Sequence, residues 1–120
     1  MTKPAACSAD DNRIRRITGG KINTVATLPS GSQAQGMAVD FTSGTIYVST
    51  GSTTCQVLAV SSSTGTATVV AGTGTCGYGG DGGPATSAQL GATNGLTINA
   101  NGDILVADVG NNLIRKLSVG

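Results

Sequence analysis

Every acidic residue of this 120-residue chain is an aspartate, and Asp40, Asp81 and Asp108 each fall where a strand ends or a loop turns. Two such carboxylates, brought together with one pKa raised and the other lowered, could carry out a paired-carboxylate hydrolysis. Asp81 and Asp108, with Asn111 and loop carbonyls, could instead supply part of the oxygen shell of a divalent cation such as calcium, and Asp40 is a further candidate ligand. Against both stands the commonest role of Asp and Asn, hydrogen bonding within their own turns. The chain has no His, which excludes Ser-His-Asp and Cys-His chemistry and makes a zinc site of ordinary composition unexpected. The loop GYGGDGGPAT at 77–86 lacks the Lys followed by Ser or Thr of a phosphate-cradling P-loop and opens no helix. It does offer many backbone amides and one aromatic, so Tyr78 and Asp81 are candidate ligand contacts, unless Tyr78 packs down beside a disulfide at Cys76.

The elements that must position these residues follow from composition. With one Phe, two Tyr and no Trp, the core has to be built from Val, Ile, Leu and Ala. Nineteen glycines, many Ser and Thr, and no sustained helical period predict an all-β chain of short strands and tight turns. A net charge of +1 is too small for a general attraction to nucleic acid. The one basic concentration, Arg13, Arg15 and Arg16, reads either as a small anion patch or, more ordinarily, as solvated strand residues. No apolar run is long enough for a membrane span, so no membrane association is expected. The chain also shows no charged start followed by an apolar stretch, as a signal peptide would have.

The phrase GMAVDFTSGTIYVS (36–49) returns as GLTINANGDILVAD (95–108), and ADDNRIRRITGGKINTVA (9–26) matches the later pieces VGNNLIRKL (109–117) and GTATVVA (65–71). One supersecondary unit has been copied. In its complete form it predicts four antiparallel strands, A to D: GMAVD (36–40), GTIYVS (44–49), CQVLAV (55–60) and TATVVA (66–71). The array therefore divides into a partial blade at 8–26 holding C and D, a complete blade at 36–71, a connector at 72–94 and a partial blade at 95–117 holding A, B and C. The C-strand positions Arg13, Gln56 and Leu113 are 43 and then 57 residues apart, and the extra 14 residues lie in the connector. Cys55 opens strand C, and Cys76 lies in the connector that can fold back towards it. The two either form a disulfide, worth about 3 kcal/mol for a loop of this length, or remain free buried thiols. Cys7 is left over.

These motifs resemble the NHL-repeat family of β-propellers: Gly36 to Asp40, Gly44 to Ser49, Asn12 to Ile17, Asn112 to Leu117, and Thr24 to Ala26 or Thr68 to Gly72. The connector is similar to one found in many bacterial secreted members. The resemblance implies that its cysteine pairs with one at the start of strand C, as Cys76 and Cys55 would. It also implies that Asp108, with Asn111 or Asn112, organises the turn from B to C, as Asp10 and Asn12 would in the first unit. In the complete blade Ser49 and Thr50 stand where Ala and Asp are expected, so that turn must be held differently. A secreted or periplasmic location follows from the resemblance and the cysteine placement.

A ring needs roughly four to eight blades, and open blades leave apolar faces and strand edges bare. The expectation is a propeller fragment that completes a ring of about six blades by homo-oligomerisation, a trimer ahead of a dimer, unless the residues are a piece of a longer propeller. Two functions are consistent with it. The first is a non-catalytic binding scaffold, with no cofactor and a protein or carbohydrate ligand. The second is a small hydrolase or lyase, with a pocket or cation site at the central channel.

Overall fold

The structure, a computed structural model, describes residues 6–8, 13–29 and 32–118. Ten strands among these residues form three antiparallel sheets. The first contains β1 (Ala6–Ser8), β2 (Arg13–Thr18) and β3 (Lys21–Thr27), the second β4 (Gly36–Asp40), β5 (Thr45–Ser49), β6 (Val57–Ser61) and β7 (Ala67–Ala71), and the third β8 (Thr93–Ile98), β9 (Ile104–Asp108) and β10 (Leu113–Leu117). Neighbours in sequence are neighbours in each sheet, so every sheet is a meander.

Turn chemistry explains the hairpins. Between β4 and β5 the amide of Thr42 donates to Asp40 Oδ1 (3.0 Å), and Gly44, at a positive φ of 79°, donates to the Asp40 carbonyl (2.7 Å). The matching turn of the third sheet uses Asn99 in the same way, its Oδ1 accepting from Asn101 and Asp103. That turn closes one residue sooner, with Gly102 donating to Asn99. Ile104 therefore takes the place of Ile46, and Asp108 the place of Thr50.

The structure revises three details of the sequence reading. The first sheet holds three strands, since Ala6–Ser8 pairs with Arg13–Arg15 ahead of the expected C and D strands. Strand C of the second sheet begins at Val57 and not at Cys55, because Gly51–Thr54 forms a single helical turn that Cys55 ends in a left-handed conformation (φ 54°). The connector ends at residue 92, since Thr93 already pairs with Asp108 ahead of a bulge. The turn expected around Asp10 and Asn12 lies outside the described residues.

The sheets stack face to face, with the second in the middle. Ile46, Val48, Leu58 and Val60 pack on Ile14, Ala26 and Leu28 of the first unit. Tyr47, Val57 and Ala71 pack with Leu90, Ile104, Val106 and Leu117 on the other side. This is why Ile46, Tyr47, Val48 and Ser49 are all buried although their side chains alternate: both faces of the strand meet another sheet. Apart from Tyr47 and the disulfide-bonded Cys55, the core clusters of the described residues are aliphatic, as the scarcity of aromatics requires.

Candidate functional site

The connector between the second and third sheets is the largest irregular segment of the chain, and its two ends are fixed differently. Near its start Cys76 is disulfide-bonded to Cys55, with the Cα atoms 5.3 Å apart. Beyond Cys76 the loop doubles back: Gly77 donates to the Leu90 carbonyl, and Gly79 bridges to Gln89. Gly80 sits so close to this return that a Cβ there would fall 2.6 Å from the Ala88 Cα, at a positive φ of 87°, so only glycine fits.

Farther on, the loop is held by Arg115 of β10. This guanidinium is buried and uses all three nitrogens. Nε and Nη2 both reach Asp81 Oδ1 (3.1 and 2.6 Å), Nη2 also donates to the Gly79 carbonyl (2.8 Å), and Nη1 donates to the Gln89 carbonyl (2.6 Å) and to Asp108 Oδ2 (3.4 Å). The Tyr78 ring lies 5.3 Å from the guanidinium carbon, in cation–π range, and its hydroxyl donates to Asp81 Oδ2 (3.3 Å). Asp108 is fully buried: Oδ1 accepts from the Gly91 amide (2.9 Å), and Oδ2 from Asn111 Nδ2 (2.9 Å). Asn111 donates as well to the Gly77 carbonyl (3.0 Å).

Tyr78, Asp81, Asp108 and Asn111 thus come together, around a residue that the sequence reading named only as part of a repeat motif. Alternation along LIRKL would have put Arg115 on the inward face with Leu113 and Leu117, and a cation on an apolar face needs anions. That was the available signal. Asp40 is not part of this cluster, being engaged in its own turn. Among the described residues no three His, Cys, Asp or Glu side chains gather as a metal site would need. The two carboxylates that do meet share a guanidinium, which supplies the positive charge a cation would otherwise bring.

In the second sheet Thr50 occupies the place of Asp108 and holds the turn with a hydroxyl. Its Oγ1 accepts from the Gln56 amide (2.9 Å) and from Thr54 Oγ1 (2.7 Å). The neighbouring Ser49 donates to the Asn94 carbonyl. The departure at Ser49 and Thr50 is therefore a substitution of one local anchor for another.

One cleft opens beside the Arg115 cluster. It has a volume of about 360 Å³ and lies between Gly80–Ala85 and the end of β10, with Leu90 at its floor. Asp81 lines it with its side chain 63% exposed, and Tyr78, 57% exposed, stands next to it through the Tyr78–Asp81 hydrogen bond.

Sheets of up to four strands, stacked face to face and joined from outer strand to inner strand, define a β-propeller segment of three blades. The family model for the NHL repeat matches residues 94–117, within the third blade. A similar solved structure is the crystal structure of a structural genomics protein of unknown function from Bacteroides thetaiotaomicron VPI-5482, at 17% sequence identity and a TM-score of 0.77. The similarity covers 92% of this chain and 30% of that one, so the chain spans under a third of its length. No curated protein matches the chain.

Proposed function

We propose that the chain is a non-catalytic binding scaffold whose contact surface is the connector cleft, and that it works as part of a closed propeller ring outside the reducing cytoplasm. The observation that carries this reading is the engagement of the polar side chains. Asp108 and Asn111 are tied into the turn, whereas Asp81, although held by Arg115, and Tyr78 stay exposed as an acid and aromatic pair beside a cleft of ligand size. A carboxylate next to an aromatic ring suits a sugar, which presents hydroxyls at its edge and an apolar face to stack. The disulfide supports a secreted or periplasmic setting. Among the described residues no helix is long and apolar enough to cross a membrane.

The third strand of the first sheet bears on ring size. With three strands at each end, the first and third sheets are too many to merge into one four-stranded blade, so each chain counts as three blades. Two copies then supply six. The test is calorimetric titration of the disulfide-intact chain with neutral and basic oligosaccharides, alongside Asp81→Asn and Tyr78→Ala. Saturable heat that both substitutions abolish is the expected result. Turnover of an ester or phosphoester that a chelator removes would overturn the scaffold reading.

A further inference from the structure

We infer that Asn94 is a self-modifying site. The backbone nitrogen of Gly95 closes on the Asn94 side chain and converts it to aspartate and isoaspartate, with Ser49 positioning and polarising the peptide that reacts.

The sequence holds two Asn-Gly pairs, Asn94–Gly95 and Asn101–Gly102. Glycine is what this chemistry needs on the carboxyl side, since a residue without a Cβ leaves its nitrogen open to the preceding side chain. The fold treats the two pairs differently. Asn94 and Gly95 are exposed and lie in the bulge of β8, where pairing with β9 passes from Thr93–Asp108 to Leu96–Val106, so that two residues face Ala107 alone. A Cβ built on Gly95 would meet nothing, and the Asn94 side chain has no hydrogen-bond partner among the described residues. Asn101 sits instead in a pinned turn. Its amide donates to Asn99 Oδ1 (2.9 Å), and the Gly102 amide, which would have to attack, donates to the Asn99 carbonyl (3.0 Å).

Ser49 separates the pairs further. Its hydroxyl is fully buried at the end of β5, accepts from the Gly36 amide (2.9 Å) and donates to the Asn94 carbonyl. That carbonyl belongs to the same peptide as the attacking nitrogen. When the Gly95 nitrogen loses its proton, the negative charge is shared with the Asn94 oxygen, where a donor already stands, as in an oxyanion hole. Among the described residues no side chain donates to the Asn101 carbonyl.

The only co-reactant is water. The Gly95 nitrogen gives its proton to solvent and attacks Asn94 Cγ. The new C–N bond closes an imide ring while the Cγ–Nδ2 bond breaks, and Nδ2 leaves as ammonia with a proton from solvent. Water then opens the ring at one carbonyl to give aspartate, or at the other to give isoaspartate. One carboxylate is added, so the net charge of +1 falls to zero. Isoaspartate also lengthens the backbone of β8 by a methylene and draws the carbonyl away from Ser49, which breaks a hydrogen bond joining the second blade to the third.

The test incubates the full, disulfide-intact chain in mildly alkaline buffer, folded and in urea, and follows both asparagines by digestion and fragment-ion mass spectrometry. In the folded chain Asn94 should convert about tenfold faster than Asn101, the worth of one hydrogen bond to a developing charge. In urea the two should convert at like rates. Ser49→Ala should slow Asn94 by about the same tenfold factor and leave Asn101 unchanged. A merely structural Ser49 predicts the opposite, because a loosened junction frees Asn94 and speeds its loss. Acceleration or no change in Ser49→Ala therefore overturns the inference, as does a folded Asn94 that converts no faster than Asn101. Should Ser49→Ala fail to fold by circular dichroism, the unmodified chain decides alone: the rate of Asn94 relative to Asn101 must be higher folded than in urea, and an equal or lower ratio overturns the inference.

Discussion

Arg115 is one residue on which two anions and two loop carbonyls depend, and its replacement should cost more than any single contact would suggest. Removing one partner of a buried ion pair leaves the other charge uncompensated, at about 3–5 kcal/mol. Arg115→Met should lower the unfolding free energy by about that much in urea titration, since Asp108 has no exposure to water. Arg115→Lys should recover little, because a single ammonium cannot serve Asp81, Asp108, Gly79 and Gln89 in the way a planar fork does. The sequence showed the acidic and aromatic members of this group as separate turn and loop residues. It did not show their convergence, which depends on a connector folding back across a blade. Tyr47 gives a pH prediction at the same scale. Burial, and after it the charge of Asp40, raise its phenol above the ordinary tyrosine value of about 10. The folded state therefore holds this proton more tightly than the unfolded chain does. The associated stability is complete below the unfolded value and is lost as pH rises through the folded one. Alkaline denaturation of Tyr47→Phe, followed by circular dichroism, should be shallower above about pH 10 than that of the unmodified chain.

At the scale of elements, strands with apolar alternation and aspartate or asparagine turns were legible because both signals are local. The blade order followed from repetition alone. Elements without a local pattern were not. β1 is three residues long and is defined by pairing with β2, and the turn of helix before Cys55 depends on Thr50 receiving two hydrogen bonds. The connector was recognisable as an insertion, yet its course is set by long-range ties, the Cys55–Cys76 bond and Arg115. Those ties are separable. The disulfide spans 21 residues and should contribute about 3 kcal/mol. Replacing both cysteines by alanine should lower stability by that amount in urea titration. It should also speed chymotrypsin cleavage after Tyr78, because the Arg115 cluster then holds the loop alone. If cleavage at that site is unchanged while stability falls, the disulfide acts on the unfolded chain and not on the loop.

For the whole molecule, stability and assembly should be one property. The middle blade is covered on both faces, while the outer two are each covered on one, so the segment alone buries its apolar surface unevenly. A closed ring removes that asymmetry, and anything that binds the folded state and not the unfolded one raises the apparent stability with its own concentration. The thermal midpoint of the unmodified chain should therefore climb as protein concentration rises. That of Ile114→Asp should stay constant, although Ile114 is too exposed in a single copy for the substitution to disturb the fold itself. A midpoint independent of concentration in both proteins would mean that the outer faces tolerate water, and that the three blades are stable through their two internal interfaces alone.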